Sequence, residues 1–425
     1  MAPALRNLLL AGLASGLSAC LSPAYECPPP GTGDRGTDPA TNPYAKPLWR
    51  NFGGNPTLDG RSSLAGPETA KHATFFDLGI LKPTSECCHG VVLWPLVGAD
   101  NTVYVLTSDR FLYAVNGRTG TIQWSFEGVA YRTPALGPNG TLYLMNTRDE
   151  LVALDPAGGD VLWVARPGRT LSSINVAPDG TVVLATYEPM QLQAFDGVTG
   201  ALKWMRADLI AGEATAIGDD GTIYIPNATR LYAVDGATGT LKWSTGGDDD
   251  LFGSNSSPAV ADGRLYVAGR TPVWPDEDLE VLVHAFDAQT GALLWSTPVD
   301  SELLGTPAVG PDGTLYFGTF DGLYALDGKT GAVKWTIMRM LTTNRLSFAV
   351  GANGVLYVTD RSGTIYGLDG QTGEVKWRVG AHGQAGPAIG AGGTLYVGGV
   401  GGIYAIPPEA SMLSGGGPLP EGPFY

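Results

Sequence analysis

The sequence predicts an all-β chain folded as an eight-bladed β-propeller of four-stranded antiparallel blades. One eleven-residue frame recurs seven times, and a Gly-rich hairpin precedes each copy. Composition agrees: 425 residues include 61 Gly and 31 Pro, and apolar residues fall in short β-branched and aromatic runs without helical spacing.

The frame is Ala, one residue, Asp or Asn, three residues, Gly, three residues, Trp. It occurs as Ala114-Asn116-Gly120-Trp124, Ala153-Asp155-Gly159-Trp163, Ala194-Asp196-Gly200-Trp204 and Ala233-Asp235-Gly239-Trp243. It continues as Ala285-Asp287-Gly291-Trp295, Ala325-Asp327-Gly331-Trp335 and Gly367-Asp369-Gly373-Trp377. Tryptophan intervals of 39, 41, 39, 52, 40 and 42 set the size of one four-stranded blade. In each unit a strand such as LYAVD leads to Asp, whose side chain starts a turn. Gly supplies the positive φ that closes it, and the next strand carries Trp towards the neighbouring blade.

In chain order, residues 1–19 have one basic residue, Arg6, and an apolar run from Leu8 that is too short to span a bilayer. Leu17-Ser18-Ala19-Cys20 resembles a bacterial lipobox, which implies a signal peptide over 1–19 and lipid on Cys20. An ordinary secretory signal with an incidental cysteine is the alternative. Leu21 after the cysteine, by resemblance to sorting rules, favours the outer membrane, with the domain facing the periplasm or the surface. Residues 20–45 are rich in Pro, Gly and Thr and read as a flexible tether. The propeller is expected over 46–408, with lead-in, cap and closing strand in 46–90, and a flexible tail over 409–425.

Upstream of each frame lies another hairpin, as in TPALGPNGTLYLM (133–145), TPAVGPDGTLYFG (306–318) and GPAIGAGGTLYVG (386–398). Eight such first-to-third-strand portions begin near 92, 133, 172, 214, 257, 306, 347 and 386. The eighth stops at GIYAIPP (402–408) without a fourth strand or Trp. An N-terminal strand must complete it, because an open ring would leave an unpaired edge. Residues 48–52, which include Trp49, and residues 72–79, directly before blade 1, are the two segments that offer one.

A net charge of −15 excludes a nucleic-acid partner. Tight turns occupy one face of the disc, so function is expected on the opposite face, among irregular loops. Loop 244–255 and the insertion 270–281 bring Asp248, Asp249, Asp250, Asp276, Glu277 and Asp278 to that side. Such carboxylates suit Ca²⁺ or a basic partner, or are simply solvated, and no calcium-loop spacing is present. Trp274 in the insertion serves either a partner contact or local packing. Arg132, Arg169, Asn255, Arg345 and His382 enter near the axial funnel, where they either hold an anion or carboxylate or line a wet channel. His72, His89, His284 and His382 show no metal-ligand spacing, no haem-attachment motif occurs, and no catalytic triad stands out, so neither a metal nor a cofactor is expected. Export places Cys27, Cys87 and Cys88 in a disulfide-permissive compartment.

The frame, the second hairpin type and the opening WRNFGGNPTLDGRSSLAGPET (49–69) resemble the repeats of the pyrroloquinoline-quinone (PQQ) propeller superfamily over about residues 49–408. That superfamily contains quinoprotein dehydrogenases and also non-catalytic lipoproteins, among them a propeller subunit of the outer-membrane barrel-assembly machinery. The dehydrogenase alternative implies PQQ and Ca²⁺, with adjacent Cys87 and Cys88 as a vicinal disulfide in an early crossover. Bonding to Cys27, or stiffening of a loop, are the other readings of that pair. Blades of near-minimal length, and calcium-ligand and base positions that find no match here, point away from an enzyme. The expectation is a monomeric, lipid-anchored, non-catalytic scaffold for a protein partner in the bacterial cell envelope, touching the membrane through its lipid only. Outer-membrane protein assembly is one candidate process, and glycan binding is a further alternative.

Overall fold

The computed structural model describes residues 60–79, 92–170, 172–209, 215–227, 230–246, 257–273, 278–300, 303–320, 322–338, 348–360 and 362–408. They form eight antiparallel sheets in sequence order. Blade 1 is Val92–Val97, Thr102–Thr107, Phe111–Asn116 and Ile122–Glu127; blade 2 is Ala135–Leu136, Leu142–Met145, Leu151–Leu154 and Val161–Ala165. Blade 3 splits its inner strand into Arg169–Thr170 and Asn175–Val176, followed by Thr181–Glu188, Met190–Asp196 and Leu202–Arg206. Blade 4 is Ala216–Ile217, Thr222–Pro226, Leu231–Asp235 and Leu241–Thr245; blade 5 is Ala259–Ala261, Arg264–Val273, Asp278–Asp287 and Leu293–Val299. Blade 6 is Leu303–Val309, Thr314–Thr319, Gly322–Asp327 and Val333–Met338; blade 7 is Phe348–Val350, Val355–Thr359, Thr364–Asp369 and Val375–Gly380. Blade 8 takes Gly383–Ile389, Leu395–Gly399 and Gly402–Ile406 from the C-terminal end, and its outermost strand is Thr74–Asp77.

Both faces of a blade are buried against neighbours, so inner strands such as TVYVLT and TLYFGT are buried at every position and do not alternate. The cores lie between blades. Tyr316, Leu323 and Ala325 of blade 6 meet Phe348, Val350 and Leu356 of blade 7. One cluster runs from Tyr357 in blade 7 through Tyr396 in blade 8 to Val103 in blade 1, which shuts the ring.

A repeated rivet joins each blade to the next. Trp335 Nε1–H and Tyr316 Oη–H, both in blade 6, donate to the Gly370 carbonyl of blade 7 at 3.0 and 2.9 Å. Trp163 and Tyr143 converge likewise on the Gly197 carbonyl, at 3.0 and 2.9 Å, and Trp295 and Tyr266 on the Gly328 carbonyl, both at 3.1 Å. In blade 3 the tyrosine position is Val183, and Trp204 donates alone, to Gly236, at 2.9 Å. Burial pushes the Tyr224 and Tyr396 hydroxyls up to about 12, so they stay protonated donors at any physiological pH. The indole also covers the frame glycine of the following blade. A Cβ on Gly200 (φ +72°) would lie 2.6 Å from the Trp163 ring.

Blade 8 is completed by residues 60–79. Phe75 pairs with Tyr404 and Phe76 with Ile403, and a Cβ on Gly120 of blade 1 would lie 2.4 Å from the Phe76 ring. Phe76 therefore takes the place that tryptophan holds elsewhere. Blade 8 also lacks a turn between its third and fourth strands, whose carbonyl would receive the rivet of blade 7. Pro67 supplies it: Tyr357 Oη–H and Trp377 Nε1–H both donate to the Pro67 carbonyl at 3.1 Å. The strap continues inward over the first turns of blades 7, 6 and 5. Ser62 N–H donates to Val350 O and Val350 N–H to Gly60 O, each at 2.8 Å. The Arg61 guanidinium donates to Val309 O and Gly310 O at 3.2 and 2.7 Å and pairs with Asp262 at 3.1 Å. This strap corrects the expectation that all irregular chain lies on the loop face, because it crosses the tight-turn face. Residues 48–52 lie outside the described residues.

Substituting Gly200→Ala combines positive-φ strain with a clash against an interlocked indole, a cost of about 2 to 3 kcal/mol. A denaturant titration followed by tryptophan fluorescence should show a lowered midpoint. Gly180→Ala, at φ +86° but with open space around it, should show the smaller strain cost alone.

Candidate functional site

The tight-turn face is uniform because each Asp organises its own turn. Asp235 Oδ1 accepts from the Thr238 amide at 2.9 Å and from its hydroxyl at 2.8 Å, and these bonds hold its carboxyl below the usual carboxylate range. Asp196, Asp287 and Asp327 repeat the arrangement. These aspartates are structural and are not available to bind a ligand.

The opposite face carries the second-to-third-strand loops and the crossovers between blades. Two hairpins stand above it. In blade 3 the ladder continues to Tyr187↔Met190, and in blade 5 it continues to Val273↔Asp278. Between them, blade 4 stops at Pro226↔Leu231. The insertion around 270–281 is therefore a lengthened ladder at its flanks and not irregular chain throughout. The blade 3 hairpin was missed because its apolar run is no longer than its neighbours' and the Trp interval barely changes. Tyr187 and Met190 are exposed near its tip, Tyr131 is exposed in the connection between blades 1 and 2, and Phe320 is exposed after the second strand of blade 6. Tyr131 is fixed in place. Its hydroxyl donates to Ser108 O, and the Arg110 guanidinium lies 5.5 Å from the ring centroid.

Of the predicted funnel residues, Arg132, Arg169 and His382 fall among the described ones. Arg132 Nη2 donates to Thr170 O at 3.1 Å, so it ties the entry of blade 2 to blade 3. Arg169 is exposed in the short inner strand paired with Glu188. His382 is exposed with φ +45° between blades 7 and 8, against Gly363. Arg132, Arg169 and His382 thus sit at three different junctions, those between blades 1 and 2, 2 and 3, and 7 and 8. Asp278 opens the third strand of blade 5. Cys20, Cys87, Cys88, Asp248, Asp249, Asp250, Asn255, Trp274, Asp276 and Arg345 lie outside the described residues. The frame tryptophans Trp124, Trp163, Trp204, Trp243, Trp295, Trp335 and Trp377 all donate to the following blade. Among the described residues, no three His, Cys, Asp or Glu side chains gather as a metal would require.

A family model described as outer membrane protein assembly factor BamB matches residues 127–269 and 279–409, more than half of the chain. The chain belongs to this family, within the PQQ-like propeller superfamily. Among solved structures, BamB from Moraxella catarrhalis aligns with a TM-score of 0.57 at 19% identity, covering 74% of this chain and 95% of that one. The quinohemoprotein alcohol dehydrogenase from Comamonas testosteroni aligns with a TM-score of 0.65 at 14% identity, covering 90% of this chain and 83% of that one. At these identities the likeness is one of fold. A quinone-dependent alcohol dehydrogenase subunit of Gluconacetobacter polyoxogenes is 38% identical over 96 residues, and so is that of Komagataeibacter europaeus. Each match spans 20% of this chain but 12% of the relative's length.

At the root of the tall blade 5 hairpin, His284 is buried, with Nδ1 2.8 Å from Ser296 Oγ. Burial lowers its pKa from 6.5 to about 4. The folded protein thus binds this proton less readily than the unfolded chain. The stabilisation is complete above pH 6.5 and is lost as pH falls from there to about 4, by about 3 kcal/mol in all. Thermal melts across that range should show the loss, and His284→Gln should flatten this part of the profile.

Proposed function

We propose that the chain is an exported, lipid-anchored scaffold without catalytic activity that engages a protein partner of the bacterial envelope through its loop face. Outer-membrane protein assembly is the process in which it would serve. Membership of the BamB family is the observation that carries this reading. The exposed Tyr187 and Met190 on the raised blade 3 hairpin support it, with Tyr131 and Phe320 exposed on the same face, since apolar and aromatic groups on a firm scaffold are what a protein interface uses. The lipobox at Cys20 supports an anchor, which would raise the local concentration of the domain near envelope partners.

The second reading, a PQQ- and Ca²⁺-dependent dehydrogenase, is favoured by the local match to the alcohol dehydrogenase subunits.

Affinity purification of the tagged full chain from detergent-solubilised envelopes should recover a stoichiometric protein partner. Shortening the blade 3 hairpin by replacing 187–190 with Asn-Gly should abolish recovery while leaving the melting temperature near that of the parent. Cys20→Ser should move the protein from the membrane to the soluble periplasmic fraction. Substrate-dependent dye reduction in the presence of PQQ and Ca²⁺, over an alcohol and sugar panel, would instead establish the dehydrogenase.

A further inference from the structure

The outermost strands of the blades form the rim of the disc, each with one side hydrogen-bonded inward and the other ending its sheet. Such edges invite pairing with another chain, and charged residues or proline normally block them. Blade 1 carries Glu127 there, blade 8 Asp77, and blade 7 Lys376 and Arg378. Blades 3, 4 and 6 place a lysine directly before the tryptophan. Lys203, Lys242 and Lys334 each reach a hydroxyl of the second strand (Thr181, Thr222, Thr314) at 2.7, 2.5 and 2.6 Å and an aspartate of the first turn (Asp179, Asp220, Asp312) at 3.5 Å. Blade 5 has no charge in its outer strand but holds Pro298 within it.

Blade 2 has no such guard. Its outer strand is Val-Leu-Trp-Val-Ala (Val161–Ala165), with Leu162 at the lysine position and Asn139 where the paired aspartate would stand. Val161, Leu162 and Val164 are 50%, 54% and 49% exposed. The bulge before the tryptophan recurs in all seven frame blades, so it does not set blade 2 apart. The flanking charges do. Asp160 precedes the strand and Arg166 follows it, at equal distance from Trp163, and both are exposed. An antiparallel pairing of this strand with its own copy about Trp163 sets Leu162 against Val164, Val161 against Ala165, and Asp160 against Arg166 at both ends. Arg166 uses Nε for Glu150 at 3.0 Å, and in that pairing its guanidinium would also meet the Asp160 carboxylate of the second copy.

We infer that the outer strand of blade 2 is a self-recognition edge through which two copies of this chain join their blades into one continuous eight-stranded sheet. The contact is isologous, and five residues a side make it weaker than a standard interface.

Sedimentation velocity on the Cys20→Ser chain, at concentrations rising from the low micromolar to the millimolar range, should show a monomer–dimer equilibrium. Leu162→Lys, which installs the lysine of blades 3, 4, 6 and 7 at an exposed site, should weaken it about tenfold or more. Asp160→Arg should weaken it as well, and Asp160→Arg combined with Arg166→Asp should restore it, because the charge pattern is then reversed and still self-complementary. Unchanged melting temperatures would show that each variant is folded. A monomer at every concentration, or a dimer that Leu162→Lys leaves intact, would overturn the assignment. Dimerisation that Asp160→Arg alone abolishes, with no rescue by the double variant, would also count against the symmetric register.

Discussion

The carbonyl that ends each third strand's turn is the point on which the rest of this architecture depends. It accepts two hydrogen bonds from the preceding blade, one from an indole and one from a buried phenol. A blade alone would leave that oxygen, that N–H and that O–H without partners in an apolar layer, at a cost comparable to lost hydrogen bonds. Docking satisfies all three at once and seats the indole on a glycine with no Cβ to obstruct it. The same few atoms thus fix spacing, orientation and order of the blades. Blade 3, where valine replaces the tyrosine, keeps its place with the indole bond alone.

This explains why the fold could be seen in the sequence so fully. The frame spacing is the spacing of the rivet, and Ala, Asp, Gly and Trp each do one identifiable job in it. What the sequence concealed lies where the chain departs from repetition. TFFD closes blade 8 with phenylalanine in place of tryptophan, and Pro67 lends a backbone carbonyl, which no side-chain pattern can announce. Arg61 reads in sequence as an ordinary polar residue, yet it bridges two blades, through backbone oxygens of blade 6 and the Asp262 carboxylate of blade 5.

The loop face was less legible, for a related reason. Its residues are not repeated, so each must be placed individually, and Arg132, Arg169 and His382 belong to three different junctions between blades. The 52-residue interval correctly marked blade 5 as the site of an insertion. The blade 3 hairpin left no comparable mark, since the longer ladder between Thr181 and Asp196 changed the count between tryptophans only from 39 to 41. A disc with two raised hairpins is consistent with the BamB family assignment.

The strap has a consequence for how the molecule comes into being. Its residues are synthesised first, yet Pro67 meets Tyr357 across 290 positions of chain, and Phe75 meets Tyr404 over a longer span still. Blades 1 to 7 can zip together locally as they emerge, each on its predecessor. The opening segment has to wait unpaired until the last strands arrive, so circularisation is the terminal event and carries the largest loop-closure entropy of the process.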